Sequence, residues 1–530
     1  MQEQKWKPSV NPWLIAMSVI LPTFMEVLDV SIANVALDHI AGSLSASYDQ
    51  ATWVLTSYLI ANAIVLPTTG WLGQRFGRKR VLEICLLTFT VASFLCGLAT
   101  NLPTLLLMRV LQGLGGGALQ PISMSILMES FPKEKQGQAL GLYGFGVVFA
   151  PIIGPILGGW LTDNYSWRWV FYINIPVGLL AQLLIRRNVE DPPWIKSSLA
   201  TRFDALGFSL MALWLGCQEV FLDKGQEDDW FGSRFICWMV AVSITGLIAF
   251  VWRELKTQSP VVDLRILRNR NFAVGTALMT AVGAYLFGMI AILPLFLQTL
   301  MGYTAYQSGM TMLPRGLGAL FAMPIAGRLV NKVDGRLLVG IGFLLFGFSC
   351  WQMGHINLFI GQWSLLWPTF INGISIGFLF VPVNTVALGT LAPQEMGNGS
   401  GIINLMRNVG GSIGVSSLVT MLARRSQVHQ TNLVAHYTPY DDAFVQAKQH
   451  LLHATLAHDG VAQTMRFLFG VLAKQAALLS YVDIFYWSAL LGVVCTALTF
   501  TLKRVKAGGP VIMHRASIKG AGRKKDVPGD

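Results

Sequence analysis

Two carboxylates and a guanidinium stand where a water-soluble protein would not place them. Glu26 and Asp29 lie inside the apolar run WLIAMSVILPTFMEVLDVSIANVAL, residues 13–37, and Arg109 inside LLLMRVLQGLGGGALQP, residues 105–121. At ~1.5 Å per residue the first run is long enough to cross a bilayer as a helix, with Glu26 near its midpoint and Asp29 one turn further on. A charge at that depth costs at least ~2.5–3.5 kcal/mol, and an acid held there is by default a proton or ion site. Arg109 needs an acid or an acceptor, and both carboxylates are candidates. An arginine beside an acid competes with the proton for it, so protonation would respond to whatever else binds. A static salt bridge joining the two helices is the alternative reading.

Other residues fit the same chemistry. Gln112 stands one turn from Arg109, and the glycines at 113, 115, 116 and 117 allow a helix or ligand close in. In GVVFAPIIGPILGG, Gly146, Ala150, Gly154 and Gly158 form a small-residue stripe, and Pro151 and Pro155 loosen the helix; this suits a rocking interface or a plain packing face. The loop GWLGQRFGRKR carries Gly70, Arg75, Gly77, Arg78 and Lys79, and ESFPKEKQGQ (129–138) offers acids to pair with it. Arg315 either faces a cavity and attracts an anionic substrate or snorkels. Arg407 is expected to snorkel or pair near the inner end of its helix, and Glu219 and Asp223 to serve a surface role. Asn34, Tyr58 and Phe149 are cavity candidates, while Trp53 reads first as an interface anchor. The eight histidines, five of them clustered at 429–458, show no metal-ligand pattern. No phosphate loop or Ser-His-Asp set is visible, which argues against an ATP-driven pump and against an enzyme.

The elements that position these residues are membrane helices. Of 530 residues, 53% are hydrophobic and only 12% charged, against about 25% in soluble domains, and mean hydropathy is +0.54. The chain reads as an all-α polytopic membrane protein of fourteen spans, among them 204–222, 233–252, 307–330, 399–423 and 482–504. All six cysteines fall in apolar spans, so no disulfide framework is implied. The net charge of +12 comes from basic residues spread between spans rather than on one soluble domain, so it indicates topology and not nucleic acid. Most lysines and arginines share a side with the N-terminus, which places both termini in the cytoplasm. Gly70-Trp71-Leu72 with Gly77-Arg78 recurs as Gly327-Arg328-Leu329 with Gly335-Arg336, an offset of 257 residues. The offset implies a six-helix bundle at 1–187 and another at 271–504, with an inserted helix pair in 188–270. It sets Leu286 against Asp29 and Leu366 against Arg109, so coupling belongs to the N-half. The outer loop 424–481 is expected to hold helical stretches at 442–456 and 461–479, the second on the membrane surface as a lid or docking element. The basic tail 505–530 is an ordinary cytoplasmic end that touches anionic lipid at most.

These motifs resemble the major facilitator superfamily: the G-x-L-x-D-R-x-G-R-K loop after helix 2, the R-x-x-Q-G helix 4 and the G-x-x-x-G-P-x-x-G-G helix 5. Fourteen spans, LDVSIANVAL and WRWVFYINIPVG narrow the resemblance to the drug:proton antiporters of the EmrB/QacA type, and FLDKGQEDDWF to the EmrB branch. The resemblance implies proton-coupled export of amphipathic drugs across a bacterial inner membrane by alternating access. It implies Asp29 and Arg109 in proton transfer, with Glu26 added on depth alone, residues 70–79 as a gating loop and Gly146–Gly158 as the antiporter helix. It also implies a periplasmic adaptor and an outer-membrane channel as partners, and no cofactor beyond the proton gradient. Gln74 replaces the usual loop acid, so that charge lock is weakened or relocated; Asp38 replaces a usual proline. Two alternatives remain open: export of a specific metabolite such as a fatty acid or siderophore, and a non-transporting sensor or assembly subunit.

Overall fold

The computed structural model describes residues 8–192, 204–257, 260–330, 332–392, 395–438, 440–442, 444–446, 448–449 and 460–502. The basic tail and His450, His453 and His458 lie outside the described residues. Helices α1 (Pro12–Val35), α2a (Tyr48–Val65) and α2b (Thr69–Phe76), α3 (Arg78–Gly97), α4a (Leu102–Gly116) and α4b (Leu119–Ser130), α5 (Lys133–Asn164) and α6 (Asn174–Asn188) are followed by α7 (Ala205–Lys224) and α8 (Arg234–Lys256). Then come α9 (Arg270–Leu295), α10 (Ala305–Leu329), α11 (Gly335–Met353), α12 (Gln362–Leu388), α13 (Met396–Val434) and α14 (Gly460–Thr499). Among the described residues twelve helices are long and apolar enough to cross a membrane. Helices α10 and α13, at the positions of expected spans 10 and 13, are helical and packed within the bundle but richer in Gly, Ser and Arg.

The repeat shows in caps and in packing. Ser47 and Gln50 form a capping box at the start of α2a, and Thr304 and Gln307 form the same box at the start of α10; each satisfies two otherwise orphaned backbone groups. In one half α1 packs on α5 and α2a on α4a; in the other α9 packs on α13 and α10 on α12. The halves meet where α5 runs along α10, and where α13 crosses α2b and α4b at the end carrying the basic loop 70–80. Gly137 and Gly327 let the α5 and α10 backbones touch at that end, since a Cβ on Gly137 would sit 2.5 Å from the Gly327 oxygen.

Two expectations are corrected. Residues 461–479 are not a separate surface element: they are the first half of α14, a helix of 40 residues, and α13 runs 39 residues to Val434. Each is about 60 Å long, twice a ~30 Å hydrocarbon core, so both helices continue past it. They are tied together where Asp483 accepts from Arg425 Nε at 2.6 Å and contacts His429 Nε2 at 2.7 Å. Glu219 is half-buried rather than at the surface, while Asp223 is exposed as expected, and both also contact the bundle. They dock the inserted helix: Glu219 accepts from Ser412 Oγ of α13 at 3.0 Å, and Asp223 from Thr56 of α2a. An acid near a helix end satisfies its oxygens with neighbouring hydroxyls when packing brings them within reach, and α7 packs against both of those helices.

Candidate functional site

Asp29 and Arg109 are fully buried and paired, Nη1 to Oδ2 at 2.7 Å. The remaining carboxylate oxygen accepts from Gln112 Nε2 at 2.9 Å and Asn174 Nδ2 at 2.6 Å. Arg109 also donates from Nη1 to Gln112 Oε1 at 2.8 Å and from Nε to the Val54 carbonyl at 2.9 Å. Its guanidinium lies over the Tyr58 ring, 4.4 Å from the centroid, and Phe171, at 5.5 Å. Ser93 Oγ closes the network by accepting from Gln112 and Asn174. Side chains of four other helices thus converge around the acid of α1, which is supplied with charge-assisted and amide donors on both oxygens.

Glu26 sits one turn away with a different set. Its Oε1 accepts from Asn62 Nδ2 at 3.0 Å and from the Tyr58 hydroxyl at 3.4 Å, and its Oε2 from Gln120 Nε2. Tyr58 therefore touches both clusters, its ring on Arg109 and its hydroxyl toward Glu26. The glycines of α4a make this possible, because a Cβ at Gly113 or Gly116 would collide with the Tyr58 carbonyl or hydroxyl. Arg407 does not snorkel. It is 2% exposed and donates to the other end of the Gln120 amide, across the boundary between the halves. The hydrogen-bonded network around Glu26 thus reaches from the N-half to α13 of the C-half.

Other candidates fall in different places. Arg315 is buried, donating to the Leu286 carbonyl at 3.3 Å. Phe149 stacks on Phe145 and faces Gly316 of α10, while Asn34 is exposed and joins neither carboxylate cluster. The stripe Gly146, Gly154 and Gly158 faces Ile20, Ser31 and Ile32 of α1, and Ser31 donates to the Pro151 carbonyl at 3.1 Å. It seats α5 on α1; the contact with the C-half uses Gly137, Gly141 and Gly144 on another face. Pro155, in the same helix, lies one turn beyond Pro151.

In the loop, Gly77 has φ +88° and turns the chain between α2b and α3. Arg78 pairs with Glu129 in a nearly buried contact, and Asp191 accepts from the Lys79 backbone N–H at 2.9 Å. Lys79 Nζ donates to the Arg186 carbonyl at 2.7 Å, and Gly70 abuts Gly397 and Asn398 of α13. With Gln74 in the acid's usual place, Glu129 and Asp191 are two acids that meet this loop from elsewhere. Breaking one partner of a buried pair strands the other charge, so Arg78→Met is expected to destabilise the protein by about 3–5 kcal/mol. Denaturant unfolding in detergent checks this, and Arg78→Met/Glu129→Leu should recover most of the loss.

Asn62, Asn174, Ser93 and Gln120 carry no signal as amides and hydroxyls in apolar helices; only their spacing from the acids after folding marks them. Duplicated helical halves, with buried titratable groups between and within them, define a secondary-transporter architecture. The chain belongs to the Major Facilitator Superfamily, which it matches over residues 19–415. It is 36% identical over 479 residues to the multidrug export protein EmrB of Haemophilus influenzae, covering 90% of this chain and 93% of that one. It is also 36% identical over 490 residues to the fatty acid resistance protein FarB of Neisseria gonorrhoeae, covering 92% and 96%. The structure of the proton:xylose symporter XylE bound to 6-bromo-6-deoxy-D-glucose superposes with TM-score 0.60 at 15% identity, over 94% and 97% of the chains. That likeness is one of fold.

Proposed function

We propose that the protein is a proton-coupled exporter of amphipathic compounds, a multi-pass protein of the bacterial inner membrane with both termini in the cytoplasm. The observation that carries this is the buried set Asp29, Arg109, Gln112 and Asn174, joined to Glu26 by Tyr58. Neutralising Asp29 releases Arg109, and Arg109 holds the Val54 carbonyl of α2a and the ring of Tyr58. A proton taken up there therefore reaches the helix that packs on α4a and α7. One proton moving down 100 mV supplies ~2.3 kcal/mol, and a tenfold concentration gradient costs ~1.4 kcal/mol. A single proton thus sustains more than a tenfold gradient. The similarity to EmrB supports drugs as cargo, and a periplasmic adaptor with an outer-membrane channel as partners; the ends of α13 and α14 are the proposed docking segment. The similarity to FarB favours fatty acids as a second cargo class.

The test is efflux from everted vesicles over a panel of lipophilic cations, neutral drugs and long-chain fatty acids. Transport is expected to collapse on adding a protonophore. Efflux that ignores the protonophore would rule out proton coupling, and a response to fatty acids alone would select the second cargo.

A further inference from the structure

Helices α9 to α13 contain no aspartate or glutamate, yet they bury two arginines, Arg315 and Arg407. The acid of α14, Asp483, is committed to Arg425 and His429. A buried guanidinium favours a nearby counter-charge, and among the described residues helices α9 to α13 supply Arg407 with none. On the N-half side Asp29 is committed to Arg109 and Glu129 to Arg78, Glu219 of the inserted helix to Ser412, and Glu26 is the acid that Gln120 joins to Arg407. We infer that Gln120 relays the charge of Glu26 to Arg407, making Glu26–Gln120–Arg407 a proton-sensitive latch between the halves, with Gln120 and Arg407 as positioning residues for coupling. The inference rests on the proton-coupled reading above and deepens it.

The geometry sets the direction of the relay. Gln120 donates from Nε2 to the Glu26 carboxylate and accepts at Oε1 from Arg407 Nη2. An amide between an anion and a cation has one favourable orientation, NH2 to the anion and C=O to the cation, and each bond polarises the other. The Gln120 backbone is fixed in turn, since its carbonyl accepts from Tyr143 at 3.1 Å. The titratable and charged groups that face Glu26 are Tyr58 of α2a, Tyr143 of α5 and, through Gln120, Arg407 of α13. The Asp29–Arg109 pair lies one turn away on the far side of Tyr58. Arg407 is the one cation of this set that belongs to the C-half.

The latch is also the last rung of a ladder. From the basic-loop end, α13 meets the N-half at Gly397–Asn398 against Gly70, then at Ser400 against Ser125, 2.6 Å between hydroxyls. Next come Asn404 against Met124 and finally Arg407 against Gln120. The lower rungs are neutral and close-packed; the last is the charged one. A proton on Glu26 removes the anion from the relay and leaves a carboxyl O–H that competes with Arg407 for the amide oxygen. The ladder then loses its strongest rung, and the basic-loop end is freed to open. The sign follows: acid favours opening at that end, and a charged Glu26 favours closure.

Spin labels at the exposed positions Arg80 and Glu395 report the separation of the two halves at this end in nanodiscs, without gradient or substrate. In the parent protein the separated population is expected to grow as pH falls. Glu26→Gln and Gln120→Met should each raise the separated-to-closed ratio about tenfold at high pH and remove the pH response. In a Glu26→Gln background, Gln120→Glu puts an acid directly on Arg407 and should restore both closure and pH response. Retention of the parent pH response by Gln120→Met and Arg407→Met, or no restoration by the added acid, would overturn the latch. If Gln120→Met does not fold, the restoring variant decides alone. pH-driven separation without proton-driven efflux would sink the exporter reading and leave the latch; proton-driven efflux without it would do the reverse.

Discussion

Asp29→Asn is expected to abolish gradient-driven export while leaving substrate binding and membrane insertion in place. The substitution keeps the shape of the side chain but removes the charge that holds Arg109, which is 0% exposed and has no other acid within bonding distance among the described residues. Stranding a buried guanidinium costs about 3–5 kcal/mol, so a fall in thermal stability accompanies the loss of transport. The two effects separate in Asp29→Asn/Arg109→Gln, where no charge is left unpaired: stability should return and transport should not. The measurement is substrate accumulation in proteoliposomes under an imposed pH gradient, paired with equilibrium binding of the same substrate. Accumulation at the parent level in Asp29→Asn would remove Asp29 from the coupling step. Loss of both accumulation and binding would instead mean that the cluster shapes the substrate cavity.

That Arg109 would meet an acid of α1, Glu26 or Asp29, was legible in the sequence because each residue is anomalous alone, and the structure selects Asp29. A charge at mid-membrane depth announces itself, and only a few complementary charges exist to answer it. The partners of Glu26 were not legible for the opposite reason. Asn62 and Gln120 are ordinary residues in apolar helices, and nothing along the chain tells which of three faces each presents. Arg407 was visible as a cation that would snorkel or pair, but its partner was not, because depth along one helix says nothing about the helix across from it. The offset of 257 compounded this by setting Leu286 and Leu366 against the acid and the arginine of the N-half. It reads equivalence between the halves, whereas the link from Glu26 through Gln120 to Arg407 runs between non-equivalent helices. The ends of α13 and α14 were missed for a simpler physical reason. Hydropathy marks where a helix is in lipid, and a helix of 40 residues continues after lipid ends.

The duplicated architecture is therefore chemically asymmetric. At mid-membrane depth the N-half holds Glu26, Asp29 and Arg109, whereas the C-half helices α9 to α13 bury Arg315 and Arg407 and contain no aspartate or glutamate. In a transporter whose halves rock against each other, such an arrangement makes every change of charge in the N-half a change in the attraction between halves. Small residues line the contact that must slide, Gly137, Gly141 and Gly144 against α10 and α12, so the close packing there offers little resistance of its own. Specific polar rungs are then what decides which end is closed.

Locking one of those rungs is expected to stop transport reversibly. Ser125 and Ser400 face each other across the halves with 2.6 Å between hydroxyl oxygens, one on α4b and one on α13. Both are buried, at 3% and 1% exposure, and side chains that approach this closely suit a disulfide, whose S–S distance is about 2.05 Å. Ser125→Cys/Ser400→Cys, in a background with the six native cysteines replaced, should transport when reduced and fall to the level of empty liposomes when oxidised. Reductant should restore the rate. Neither single cysteine should respond to oxidant, which excludes a general oxidative effect. The disulfide joins helices that already touch, so binding of a substrate presented from the far side is expected to survive. If oxidised protein transports at the reduced rate, the halves do not separate at the basic-loop end during the cycle, and the ladder along α13 is then a fixed hinge rather than a gate. The expected outcome places the closed gate between residues 120–125 and 400–407, the stretch that the proton on Glu26 is positioned to release.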